Sequence, residues 1–127
     1  MKATSVATLL AVSLYTFVSI TTGTTYIGIT VQNNFNQFKK TWWVGFDGKS
    51  LYDAMVVLQN QDQTFSFASE PYPGIGHFVV SVCHMVACNT NRQYWEVLAP
   101  DGKFTENGVD LTYPGNNAWY TFNLTTF

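Results

Sequence analysis

The apolar positions change period several times along the chain, and each change marks an element. In residues 26–33, Ile27, Ile29 and Val31 alternate with Gly28, Thr30 and Gln32. A period of two places one apolar face on a β-strand. An Asn-rich turn over 33–37 leads to a second strand over 41–46, the run TWWVGF. Asp47 and Gly48 end it as a turn. The period then becomes helical: Leu51, Ala54, Met55 and Leu58 fall on one face. Ser50 stands at the N-cap position, and Asp53 at the third helical position completes a capping-box-like pair. The polar run Asn60, Gln61, Asp62 ends the helix. A short strand over 64–68 follows, with Phe65 and Phe67 on one face, and Glu70, Pro71, Tyr72, Pro73 and Gly74 read as a bending loop.

Residues 76–98 carry the strongest β signal. Phe78, Val80 and Val82 alternate with Val79 and Ser81, and a return run holds Tyr94, Trp95, Glu96, Val97 and Leu98. The expected structure is a hairpin with Cys83 and Cys88 at its neck and Asn89, Thr90 and Asn91 in its turn. Neither of its faces is fully polar. The hairpin therefore belongs mid-sheet, or one face meets something other than water. Ala99, Pro100, Asp101 and Gly102 form a turn, Phe104 resumes the chain, and turn signals recur at 107–108 and 113–116. In a closing strand over 118–124, Ala118, Tyr120, Phe122 and Leu124 share one face. Trp119, Thr121 and Asn123 share the other. Strands with a single helix predict an α+β domain, a mixed sheet of about five or six strands with one helix packed across it in a β-grasp-like arrangement. A β-sandwich is the alternative, and the capped segment after Ser50 argues against it.

The first residues read as an address. Met1 and Lys2 precede an apolar run over 6–20, and Thr21, Thr22 and Gly23 supply small residues for cleavage. Residues 1–23 are expected to be a secretory signal peptide, too short and too rich in Ser and Thr to span a membrane. Residues 24–127 then form one secreted, extracellular domain. Composition changes that picture only slightly. The chain is 17% aromatic, 11% charged and carries a net charge of −2, so a basic nucleic-acid footprint and a polybasic membrane patch are both absent. In an oxidising compartment Cys83 and Cys88 are expected to form a disulfide, whose short loop would contribute about 2 kcal/mol. The sequon at Asn123, Leu124 and Thr125 makes Asn123 a candidate glycosylation site. Strand parity predicts that Asn123 is exposed.

Catalytic signatures are missing. The sequence holds no G-x-S-x-G, H-E-x-x-H, P-loop or dinucleotide pattern. His77 and His84 read as surface or loop residues, Glu96 as an outward strand charge, and Asp101 and Glu106 as loop carboxylates without glycosidase spacing. His84 between the two cysteines lacks a fourth ligand at zinc spacing. No metal site and no catalytic cofactor are expected, and the chain is not expected to be an enzyme.

Several segments, taken in order, resemble the C-terminal β-domain of the secreted cobalamin carriers, the family of transcobalamin, intrinsic factor and haptocorrin. They are the capped helix Ser50-Leu51-Tyr52-Asp53-Ala54-Met55, the strand Phe78-Val79-Val80-Ser81, and Arg92-Gln93-Tyr94-Trp95-Glu96-Val97. Asn107-Gly108-Val109 and the terminal Phe122-Asn123-Leu124-Thr125-Thr126-Phe127 continue the likeness. The resemblance implies a β-domain that closes over one side of a corrin ring, with ligand-facing positions at Gly74, Val79, Val97 and Phe104 and with Trp95 beside them. It further implies binding or transport of cobalamin (vitamin B12) or another corrinoid, without enzymatic activity. The helical barrel that covers the ring's other side in that family has no counterpart here, so a half-site completed by a helical partner domain or a receptor is implied. The alternative is an extracellular interaction or matrix module that binds protein or carbohydrate through Trp42, Trp43 and Trp119. At least one of the adjacent Trp42 and Trp43 is expected in the core.

Overall fold

A computed structural model describes residues 23–127. The expected signal peptide, apart from Gly23, lies outside the described residues.

The alternating start forms β1, Thr25–Asn33, whose Ile27, Ile29 and Val31 are fully buried. It turns back into β2, Lys39–Phe46, in antiparallel register, Ile27 facing Val44 and Ile29 facing Trp42. Side-chain amides shape the turn: Asn33 Oδ1 accepts the Phe35 N–H at 2.7 Å and Asn36 Oδ1 the Phe38 N–H at 2.9 Å. The helix α1, Leu51–Gln61, begins at the expected cap. Ser50 Oγ accepts the Asp53 N–H, and Asp53 Oδ2 accepts the Ser50 N–H, both at 3.1 Å. Its buried stripe is Leu51, Ala54, Met55 and Leu58. Truncating any of the three larger members to Ala costs about 2–5 kcal/mol.

The remaining strands are β3 (Phe67–Tyr72), β4 (Gly76–Val82), β5 (Met85–Val86), β6 (Gln93–Leu98) and β7 (Trp119–Thr126). The expected α+β arrangement forms, with the seven strands of the described residues divided between two sheets. One sheet has the order β2-β1-β7-β6, with β7 parallel to β1 and antiparallel to β6. The other is β3-β4-β5. One continuous core joins them: Ile27, Ile29, Val44 and Phe122 from the first sheet, Val79 and Val82 from the second, Met55 from the helix and Phe65 from the segment after it.

Four sequence expectations are corrected. The stretch 76–98 does not fold as one hairpin. Cys83 and His84 both adopt left-handed backbone, φ 51° and 65°, and close a tight turn between β4 and β5, with Val82 opposite Met85. Such a turn favours Asn or Gly, so Cys-His gives no sequence signal for it. The return run, as β6, pairs with β7 instead. Second, the strand expected over 64–68 begins only at Phe67, with Thr64 and Phe65 in a turn, and it runs on through Glu70, Pro71 and Tyr72, because β3 is an edge strand where Pro71 owes no ladder N–H. The bend comes later, at Gly74 with φ +79°.

Third, Cys83 and Cys88 are free thiols. Cys83 sits at the hairpin tip, while the Ala87 N–H bonds to the Val80 carbonyl, which carries Cys88 back alongside the middle of β4. Four residues of strand separate the two positions, about 13 Å, well past the roughly 7 Å limit for a disulfide. Fourth, Asn123 is 5% exposed. It faces outward as expected, but β7 lies inside its sheet and Gln32 and Glu96 flank it in register. Its Nδ2 donates to Glu96 Oε2 at 2.6 Å, leaving no room for a glycan in the folded state.

Candidate functional site

The two sheets part between β4 and β6. β5 pairs only with Ser81 and Val82, so the start of β4 is free on that side. β6 is the edge of the four-stranded sheet. A cleft of about 250 Å³ opens there. Its walls bring together Val79 from β4, Trp95 and Val97 from β6, and Phe104 from the loop that bridges back to Leu98. Four of the five ligand positions named from the sequence thus converge, although they come from strands in different sheets and from a loop.

Their accessibility differs. Val79 and Trp95 form the floor, 6% and 5% exposed. Trp95 also ties the sheets together, its indole N–H donating to the Met85 carbonyl at 3.0 Å. Val97 is half-buried, and Phe104 stands 66% exposed on the rim. Gly74 lies outside the cleft, exposed on the β3–β4 turn with open space around it. The rim position on that side belongs to its neighbour Ile75.

The sequence reading missed Ile75, Phe78, Tyr94 and Val109, which also line the cleft. Phe78 and Tyr94 point away from the face shared by Val79 and Trp95, so alternation assigned them elsewhere. Val109 is held in place by His77, which is no simple surface residue. The His77 N–H and Nδ1 engage the two oxygens of Asp110 at 2.9 and 2.8 Å, and the ring stacks on Tyr52 at 3.9 Å. The Asp110 carboxyl comes so close to β4 that a Cβ on Gly76 would meet it at 2.7 Å. This clamp fixes the short Val109–Leu111 turn behind the cleft.

The walls are chiefly apolar, and β6 is an edge strand whose ends are covered, the Val97 carbonyl accepting the Thr105 N–H and the Gln93 N–H donating to the Cys88 carbonyl. The one carboxylate in the lining, Glu96, already accepts from Tyr94 Oη at 3.2 Å and from Asn123. Burial, then the Glu96 charge, raises the Tyr94 pKa, which keeps its hydroxyl protonated. The cleft suits apolar surface, and it is too small to enclose a whole large ligand. Among the described residues no three His, Cys, Asp or Glu side chains converge as metal ligands. A wider hollow of about 540 Å³ adjoins the cleft and shares Phe78, Val79 and Tyr94 with it.

The aromatic alternative is also placed. Trp42 is core, its ring edge against Phe65. Trp43 and Trp119 lie on the opposite, outer face of the large sheet, 49% and 46% exposed, with ring centroids 5.4 Å apart. They meet over Gly28, where a Cβ would stand 1.9 Å from the Trp119 ring.

No family model matches the sequence, and no curated protein matches it significantly. Solved structures do share the fold. Haptocorrin, solved in complex with cobinamide (Cbi), superposes with a TM-score of 0.67 at 20% identity over 81% of this chain. A candidate metal-binding protein from Ruminococcus gnavus ATCC 29149 gives 0.64 at 20% identity over 81% of this chain and 98% of its own. The chain spans about a quarter of haptocorrin, 26% of its length. The protein thus shares its fold with a portion of haptocorrin and with nearly the whole of the Ruminococcus gnavus protein.

Proposed function

We propose that the protein is a secreted, non-enzymatic corrinoid-binding module whose β4–β6 cleft covers one side of a cobalamin-type ring. The observation that carries this reading is the convergence of Val79, Trp95, Val97 and Phe104 on one cleft. The fold shared with a protein solved with cobinamide supports the same ligand class. Apolar walls gain free energy by covering ring surface. The small cleft leaves the ring's other side to a partner, a helical domain or a receptor. The test is a titration of the protein with cobinamide, followed by absorbance and calorimetry, with and without the helical domain of a carrier. Saturable binding in either arm supports the reading, and no binding in both overturns it.

The Trp43–Trp119 pair favours a second reading, an extracellular interaction module that contacts protein or carbohydrate on the outer sheet face. If binding to any extracellular ligand fell with Trp43→Ala and Trp119→Ala while Val97→Asp left it intact, this second reading would hold.

A further inference from the structure

The hollow beside the cleft has a chemistry of its own. Its volume of about 540 Å³ falls in the range of small-molecule pockets. Four aromatic side chains line it, in two pairs. Tyr72 of β3 and Phe78 of β4 stack at 5.2 Å with 23° between their planes. Tyr94 of β6 meets Phe127, just past β7, edge-on at 6.0 Å. Val80, Val86 and Ala87 add apolar surface.

Glu70 is the one formally charged side chain in this lining, which among the described residues holds no Lys, Arg or His. It stands directly across from Phe78 in the β3–β4 register, and Tyr72 follows two residues along the same face. Cross-strand neighbours of that kind hold their Cβ atoms about 5 Å apart, so the carboxylate sits beside the stacked rings. Among the described residues Glu70 forms no ion pair. Tyr72 is 47% and Phe78 41% exposed, which leaves ring surface open next to the carboxylate. The other aromatic pair already seats a cation. Arg92 holds its guanidinium 4.8 Å over the Phe127 ring from outside the lining. A ligand's positive charge therefore belongs at the Glu70 end.

We propose that this hollow binds a small organic cation, its methylated ammonium head against Glu70 and the Tyr72–Phe78 stack and its apolar remainder along Val80 and Tyr94. Ring faces attract positive charge, and Glu70 supplies a full counter-charge. A methylated head fits better than a bare ammonium, whose strong hydration resists transfer to an apolar wall. The site is independent of the corrinoid reading of the cleft and stands or falls on its own test.

The experiment is an NMR titration of wild type, Glu70→Gln and Tyr72→Leu with choline and with neohexanol, its uncharged isostere in which carbon replaces nitrogen. Both substituted positions are exposed, and the amide spectrum of each variant verifies its fold. In wild type, choline is expected to shift Tyr72, Phe78 and Val80 saturably. It is expected to bind about fivefold or more tightly than neohexanol, the scale of a cation–π contact. Each variant is expected to lose most of that preference. Absence of choline binding, equal affinity for the two probes, or shifts confined to residues outside the hollow would overturn the proposal. So would a preference left intact in either folded variant.

Discussion

Phe104 offers the cleanest separation of binding from folding. Its side chain stands 66% exposed on the rim, and its link to β6 is a backbone bridge to Leu98 that a substitution leaves in place. A Phe presents about 200 Å² in all, so about 130 Å² is open to a ligand. If a ring covers half of that, ~65 Å² at ~25 cal/mol per Å² gives about 1.6 kcal/mol. Allowing for what Ala retains, Phe104→Ala should weaken corrinoid binding about tenfold. Its unfolding free energy should stay within about 0.5 kcal/mol of wild type, as for an exposed site. Trp95→Ala is the contrasting control. Trp95 is buried and bonds to Met85 across the sheets, so its loss should cost about 3–5 kcal/mol of stability. Urea unfolding and calorimetric titration on the same preparations measure both quantities. Unchanged affinity in a folded Phe104→Ala protein would refute the placement of the ligand on this rim.

Further outcomes follow from the corrected features. Cys83 and Cys88 should both alkylate without prior reduction, with Cys88 the faster. A hydrogen bond with Thr90 lowers the pKa of the exposed Cys88, whereas burial raises that of Cys83. Loss of both thiols to a disulfide in the folded protein would contradict the geometry. Folded protein secreted from a glycosylating cell should keep its unmodified mass at Asn123, and a glycan there in a stably folded chain would refute its burial. The capping carboxylate Asp53 has a folded-state pKa below the ordinary 3.8 because the Ser50 and Lys49 N–H groups bond to it. Its stabilising contribution is present above that ordinary value and is lost as pH falls through the lower folded value. Asp53→Asn should therefore flatten part of the acid limb of a stability–pH curve. An acid limb identical to wild type would remove Asp53 from that role.

The legible parts of the sequence were those with local chemistry. The Ser50–Asp53 box and the Leu51, Ala54, Met55, Leu58 stripe fixed the helix, and the Ile27, Ile29, Val31 alternation fixed the first strand with its buried face. Pairing was less legible, since alternation reveals a strand's faces and says nothing about its neighbours. The run 76–98 looked like one hairpin because the turn at Cys83 and His84 uses residues that rarely adopt left-handed backbone. Asn123 faced outward as alternation required. Its burial comes from flanking Gln32 and Glu96, which only the sheet order brings beside it. The four cleft residues came from the resemblance, alternation adding only that Trp95 and Val97 share a face, because Val79 and Trp95 belong to different sheets. Ile75, Phe78 and Tyr94 escaped because the cleft runs across both strand edges and so draws residues from either face.

The most direct measurement is a methyl and aromatic NMR titration of the protein with cobinamide, run with the carrier's helical domain if binding requires it. The proposed site predicts shifts at Val79, Val97 and Phe104, with Trp43 and Trp119 on the opposite face unmoved. Shifts centred on Trp43 and Trp119, with the cleft resonances unchanged, would contradict it.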